Sequence, residues 1–297
     1  MKHSLRKAPS HRILNNFTPI GGFGRKWAVL ISLTRLELHL ETSRGLPVIA
    51  SLMMYLRPEN AQAHDRYWAL IRAELAQRGI VAPDQPDNSR DEFEVWTADN
   101  LVLSQTCGMP YRIWLHDKVN LVGTPDFGLA DCPPGYYRSA VVVRADDVRQ
   151  EAEAFRDAVF AYNQTFSQSG YAAPYALAQK HGFWFENRSQ SHGHLNSARA
   201  VAEGQADIAA LDVVTWELIQ KYDDFAVDLR VLAQTPPTPG LPYIAAAGVD
   251  RQATYDAVSA AIAGLDQADR DALCLKGLTH IPNAAYLAIN NPPETAG

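Results

Sequence analysis

Apolar positions along this chain keep two rhythms. Residues 48–55 (VIASLMMY) form a near-continuous apolar run, the pattern of a strand covered on both faces. Pro58 and Glu59 then open a helix in which Tyr67, Ile71 and Leu75 recur every fourth position, with Trp68 beside them, making one apolar stripe. Gly79 stands where a C-terminal cap belongs. Strand, loop and helix thus follow one another within about 30 residues, the length of a βα unit.

The unit recurs. Short strands are expected at 101–103, 139–143, 159–162, 207–211 and 243–246. Helices are expected over 171–179, around 196–203 with Gly204 as the stop, and from near Val213. Two further helices near the end carry stripes at Tyr255, Val258 and Ile262, and at Leu273, Leu275 and Leu278. No repeat of fixed period is present. The alternation predicts an α/β fold of mostly parallel sheets flanked by helices.

Composition narrows the function classes. The 297 residues are 47% hydrophobic, enough to bury a sizeable core. Lys and Arg total 27 against 33 Asp and Glu, a net charge of −6, which argues against nucleic-acid binding. No apolar run reaches the roughly 18 residues of a membrane span, so stable membrane insertion is not expected. Cys107, Cys132 and Cys274 are odd in number and widely spaced, which fits neither a disulfide framework nor a zinc site.

Residues 1–46 read differently from the rest. Lys2, Arg6, Lys7, Arg12, Arg25 and Lys26 make a basic head, and the apolar run at 27–33 is cut short by Arg35 and Glu37. No small-x-small cleavage site follows cleanly, so a poorly ordered extension is expected rather than an export signal.

Three segments share one design: a strand, small hydroxyl or amide residues, then a helix start. They are 104–108, 163–170 and 191–197. Free N–H groups at a helix N-terminus favour anions, and Ser or Thr hydroxyls add donors. Gly108 and Gly170 permit close backbone approach. Neither of those two segments contains Lys or Arg, so an anion would be held by neutral dipoles. Taken singly, each segment also reads as an ordinary turn and N-cap. His192-Gly193-His194 lacks a third metal ligand in sequence, and Cys107 lacks a His/Asp partner pattern, so neither a metal, a cofactor nor a catalytic nucleophile is expected.

The stretches LSQTCG (103–108), PGYYRS (134–139) leading into Val141-Val142-Val143, Asn163 with SQSGY (167–171), Ser191-His192, AVAEG (200–204), ALDVVTW (210–216) and PTPGLP (237–242) together resemble the phosphate/phosphonate-type substrate-binding proteins of ABC importers. The resemblance implies a two-lobed fold of the type-2 periplasmic-binding-protein class, closing on a small anionic ligand. Lobe one would comprise 47–137 with 244–297, and lobe two 138–243. The crossings would lie at 137–143 and 235–244.

Carried over residue by residue, the resemblance implies a ligand site of Tyr55, Ser104, Thr106, Tyr137, Ser167, Ser169, Gly170, His192 and Asp212. Phe166 and Gln168 interrupt the usual run of small residues in the phosphonyl-gripping loop. Asp212 would accept a hydrogen bond from a P–OH proton and so reject sulfonates, which have none. The implied role is delivery of an oxyanion to an ABC permease from the periplasm. The missing export signal leaves the cytoplasm as the alternative compartment, with a cytoplasmic ligand sensor as one alternative function. A second is an enzyme on the same fold, such as the menaquinone-pathway dehydratases and thiamine pyrimidine synthases.

Overall fold

The computed structural model describes residues 47–293. The extension expected at 1–46 lies outside the described residues. Strands follow in the order β1 (Ile49–Ser51), β2 (Leu101–Gln105), β3 (Val119–Asp126), β4 (Tyr136–Tyr137), β5 (Ser139–Arg144), β6 (Phe160–Tyr162), β7 (Arg188–Gln190), β8 (Ile208–Asp212), β9 (Leu229–Gln234), β10 (Thr238–Pro239), β11 (Tyr243–Ala246) and β12 (Gly277–Thr279). The helices that matter here are α1 (Ala61–Gln77), α2 (Glu92–Trp96), α3 (Ala173–Lys180), α4 (His194–Ala202), α5 (Val213–Tyr222), α6 (Arg251–Gly264) and α7 (Gln267–Leu273).

Two five-stranded sheets result. One has the order β1-β2-β11-β3-β12, the other β7-β6-β8-β5-β9. They are mixed, not mostly parallel as the alternation predicts. β1 pairs parallel with β2, and β6 with both β7 and β8, whereas β11 runs against β2 and β3, and β5 against β8 and β9. The antiparallel strands flank the two crossings. A strand that has just entered or left a sheet there needs no crossover helix to bring it round in parallel. The crossings themselves are β4 and β10, which pair antiparallel over two residues each. Gly240 N–H donates to Gly135 O at 2.9 Å, and a Cβ on Gly240 would lie 2.7 Å from that oxygen, so this contact requires glycine.

Each sheet has its own core. The α1 stripe Tyr67, Ile71 and Leu75 is buried with Trp68 against Val258 and Ile262 of α6, on one face of the first sheet. The second sheet buries Ala198 and Val201 of α4 with Trp216 and Ile219 of α5 on one face, and a cluster of Phe155, Phe160, Phe183 and Phe185 on the other. Trp184 and Trp216 belong to these cores. The strand expected at 48–55 ends at Ser51, because the chain turns with Leu56 N–H donating to Met53 O. Helix α7 ends at Leu273: Cys274 adopts a left-handed φ of +53°, and Leu278 falls in β12 instead. Among the described residues no helix is long and apolar enough to cross a membrane.

Candidate functional site

A cavity of about 440 Å³ lies where loops from the two sheets meet. Its walls come from the turn after β1, from α2, and from the segments after β2, β6, β7 and β8. Ligands of open α/β sheets sit beyond the carboxyl ends of strands for this reason.

Tyr55 enters from the first sheet. Its φ is +63°, a strained conformation for a tyrosine. Buried Asn60 holds the turn: its amide donates to Tyr55 O at 3.0 Å and its Oδ1 accepts from Arg57 N–H at 2.8 Å. Tyr55 Oη then donates to Asp212 Oδ2 at 2.8 Å. Asp212 closes β8 and caps α5, its Oδ1 accepting from the N–H groups of Val214 (2.8 Å) and Thr215 (3.2 Å). Burial pushes the Asp212 carboxyl up to about 6, against the pull of these donors. Both oxygens have partners, so a ligand proton would join Tyr55 as a second donor on Oδ2.

The loop after β6 is folded back on itself. Ser167 Oγ accepts from Gly170 N–H at 3.0 Å, and one wide π turn, Gln168–Ala172, leads into α3. Ser139 Oγ donates to Ser169 O at 2.8 Å and ties the loop to β5. A Cβ on Gly170 would stand 1.9 Å from Asn163 Oδ1, so a side chain at 170 requires the Asn163 amide to move aside. Phe166 and Gln168, the two interruptions of the small-residue run, both reach across to the other sheet's elements. The Phe166 ring packs edge-on against Phe93 (5.3 Å) and Trp114 (5.9 Å), and Gln168 Oε1 accepts from Arg112 Nη1 at 2.6 Å.

Ser169 Oγ lies 3.0 Å from His194 Nε2, at the first turn of α4. Burial drops the His194 pKa to about 4, so the ring is neutral near pH 7. His192 also lines the cavity but is exposed, with φ +64°. Among the described residues no group of three metal-ligating side chains forms. Burial raises the pKa of the Cys107 thiol, and its sulfur accepts from Gln168 N–H at 3.4 Å, so it is protonated and packed.

Of the nine residues expected from the resemblance, Tyr55, Ser167, Ser169, His192 and Asp212 line this cavity. Ser104, Thr106, Tyr137 and Gly170 do not. Ser104 is fully buried within β2, Thr106 is tied to Pro242 O through its N–H, and Tyr137 packs in β4 against Val213, Val214 and Leu241.

Three further residues escaped the sequence reading. His194 lies beside His192 and shared its signal, but only the start of α4 decides which ring meets Ser169. Glu92, the first residue of α2, lines the cavity and accepts from Gln164 Nε2 at 3.2 Å, with burial raising its pKa. Arg112 is 5% exposed and has no ion-pair partner among the described residues. Its Nε donates to Asn291 Oδ1 at 2.6 Å, its Nη2 has no partner, and desolvation lowers its pKa to about 10. Arg57 lines the cavity too, but Asp223 (2.8 Å) and Glu59 (3.1 Å) already hold it.

Residues 115–284 match the family model for the ABC-transporter phosphonate periplasmic substrate-binding protein. The chain belongs to that family. Among solved structures it is similar to PhnD1 from Prochlorococcus marinus in complex with methylphosphonate, at 15% identity and a TM-score of 0.62, covering 80% of this chain and 94% of that one. It is also similar to a binding protein component of an ABC phosphonate transporter from Pseudomonas aeruginosa (17% identity, TM-score 0.58, covering 82% and 84%). A third is XAC2383 from Xanthomonas citri bound to ATP (14%, 0.60, covering 81% and 93%). At these identities the likenesses show the fold, which is the two-lobed type-2 class. No curated protein sequence matches. As a member of a periplasmic substrate-binding family the protein is a binding protein and not an enzyme, and membership implies a small ligand and a permease partner.

Proposed function

We propose that this protein captures a small oxyanion, a phosphonate or a close relative, and presents it to an ABC importer. The lobes would be 47–137 with 244–297 and 138–243, hinged at the β4–β10 ribbon. The observation that carries this reading is the convergence of Ser167, Ser169 and neutral His194 with Tyr55 and Asp212 on one cavity. Hydroxyls and an imidazole supply donors to an oxyanion without a counter-charge at the contact itself. Tyr55 and Asp212 contribute from opposite lobes, and His192 closes the rim. Asp212 accepts a hydrogen bond from the ligand's P–OH beside Tyr55, which disfavours sulfonates.

Gly170 serves the site by letting the loop close on Asn163. Ser104, Thr106 and Tyr137 serve as framework for the cavity rather than as ligand contacts.

Titration calorimetry of the full chain against methylphosphonate, phosphate and methanesulfonate tests this. Saturable binding of methylphosphonate or phosphate, with methanesulfonate at least about tenfold weaker, is the expected result; one good hydrogen bond lost corresponds to such a factor. Absence of binding by all three would refute the oxyanion reading.

A further inference from the structure

The cavity is too large, and its walls too apolar, for an oxyanion alone. Five contacts already join the elements of the two sheets around it: Tyr55 to Asp212, Gln164 to Glu92, Arg112 to Gln168, Phe166 to the Phe93 and Trp114 rings, and Arg57 to Asp223. The 440 Å³ is therefore what remains after the halves have met, not the width of an open cleft. At about 30 Å³ per water, that space holds roughly fifteen water-sized atoms. A methyl-sized phosphonate has five non-hydrogen atoms and would leave most of it filled with water.

Three donors, Ser167, Ser169 and His194, stand together on one wall. They come from the loop after β6 and the start of α4, whereas Met53, Met54, Leu56, Trp96 and Leu218 supply apolar walls from other elements, joined by Leu195 of α4. A second anionic group on the ligand would find no unpaired Lys or Arg among the lining residues. Arg57 is matched by Asp223 and Glu59, and the carboxyls of Glu92 and Asp212 would repel it.

Resting on the oxyanion reading above, we propose that the cavity, whose volume lies in the range of small-molecule clefts, is built for an oxyanion head carrying an uncharged apolar body of up to about ten non-hydrogen atoms. Burying the body against Met53, Met54, Leu195 and Leu218 adds affinity that a bare head lacks. Phe166 has a defined part in this: as the bulky interruption of an otherwise small-residue loop, it joins the loop to the aromatic cluster and gives the cavity an aromatic face beside the head.

The experiment compares methylphosphonate, benzylphosphonate, 2-aminoethylphosphonate and benzyl alcohol by calorimetry on the full chain. Benzylphosphonate is expected to bind at least about tenfold more tightly than methylphosphonate, from the area of one buried ring. In Leu195→Trp, which fills the apolar part, that ranking is expected to invert. Equal or tighter binding of methylphosphonate by the unaltered protein would overturn the inference while leaving the oxyanion reading in place. So would tighter binding of 2-aminoethylphosphonate than of benzylphosphonate, or a benzylphosphonate advantage that persists in Leu195→Trp. Benzyl alcohol binding as tightly as benzylphosphonate, or no binding by any phosphonate, would overturn the oxyanion reading and this inference with it.

Discussion

Tyr55 Oη and Asp212 Oδ2, 157 positions apart in the chain, lie 2.8 Å from each other and bridge the turn after the first strand to the end of β8. The bond spans the cavity, so it can form only when the two halves are together. Tyr55→Phe removes it while keeping the ring. The expected result is a loss of about 1.5–3 kcal/mol of closed-state stability, the range for a hydrogen bond to a charged acceptor. Small-angle scattering should then show a larger radius of gyration for the ligand-free variant, returning toward the parent value on adding a saturating phosphonate.

Asp212 and His194 should impose opposite pH dependences on stability. The Asp212 carboxyl is raised from 3.8 to about 6 in the folded protein. Between those values the folded state holds a proton that the unfolded state has released, so stability falls as pH rises from about 4 to 6. His194 is lowered from 6.5 to about 4. There the unfolded state holds the extra proton, so stability rises with pH across that interval and is fully present above about 6.5. Each contribution is on the order of 3 kcal/mol, and in the parent protein they largely cancel. Urea denaturation at pH 4.5 and 6.5 should show Asp212→Asn gaining stability with pH and His194→Gln losing it. Parallel slopes in the two variants would contradict the assignment.

Gly170→Ala is expected to destabilise the protein by about 1–3 kcal/mol and to weaken phosphonate binding, because its methyl group would overlap Asn163 Oδ1 at 1.9 Å. Adding Asn163→Gly should recover much of the stability, which thermal melting would show. An alanine variant that melts like the parent would mean that the loop has room after all.

Arg112 places an unpaired positive charge in the interior, one hydrogen bond from the loop that carries Ser167 and Ser169. A buried charge acts over a longer range than an exposed one because little water screens it. Arg112→Met should weaken phosphonate binding by at least about tenfold, and Arg112→Lys by less, since the charge remains while the fork to Gln168 and Asn291 is lost. Equal losses in the two variants, measured by calorimetry, would assign the effect to positioning through Gln168 alone.

The parts legible in the sequence were those written in side-chain periodicity. The stripe of α1, the α6 stripe and the strands expected at 101–103, 139–143, 207–211 and 243–246 are all visible as apolar patterns, and the structure places β2, β5, β8 and β11 there with ends shifted by up to two residues. β7 (Arg188–Gln190) was missed because it is a polar strand at a sheet edge and carries no apolar signal. β3 was masked by Gly123 and Pro125 within it. Strand direction went astray because alternation of elements says nothing about strands that enter at a crossing.

In the candidate site, strand-end residues such as Asp212 were readable, since a carboxylate before a helix marks both a cap and a cleft position. Glu92 and Arg112 were not. Each becomes part of the site only when a distant segment packs beside it, and nothing local in the sequence marks an arginine as buried or unpaired. The notion that only neutral dipoles attend the anion also needs amending: Arg112 lies outside the loop segments, yet its charge bears on them from behind.

The fit of Gly170 against Asn163 has a practical corollary for anyone wishing to retarget this receptor. A change at 170 has to be matched by one at 163, so this pair is the costliest place to begin. New selectivity has to be written into the surrounding panels, at Met53, Phe166, Leu195 and Leu218, where exchanging one bulky side chain for another changes shape without disturbing the backbone.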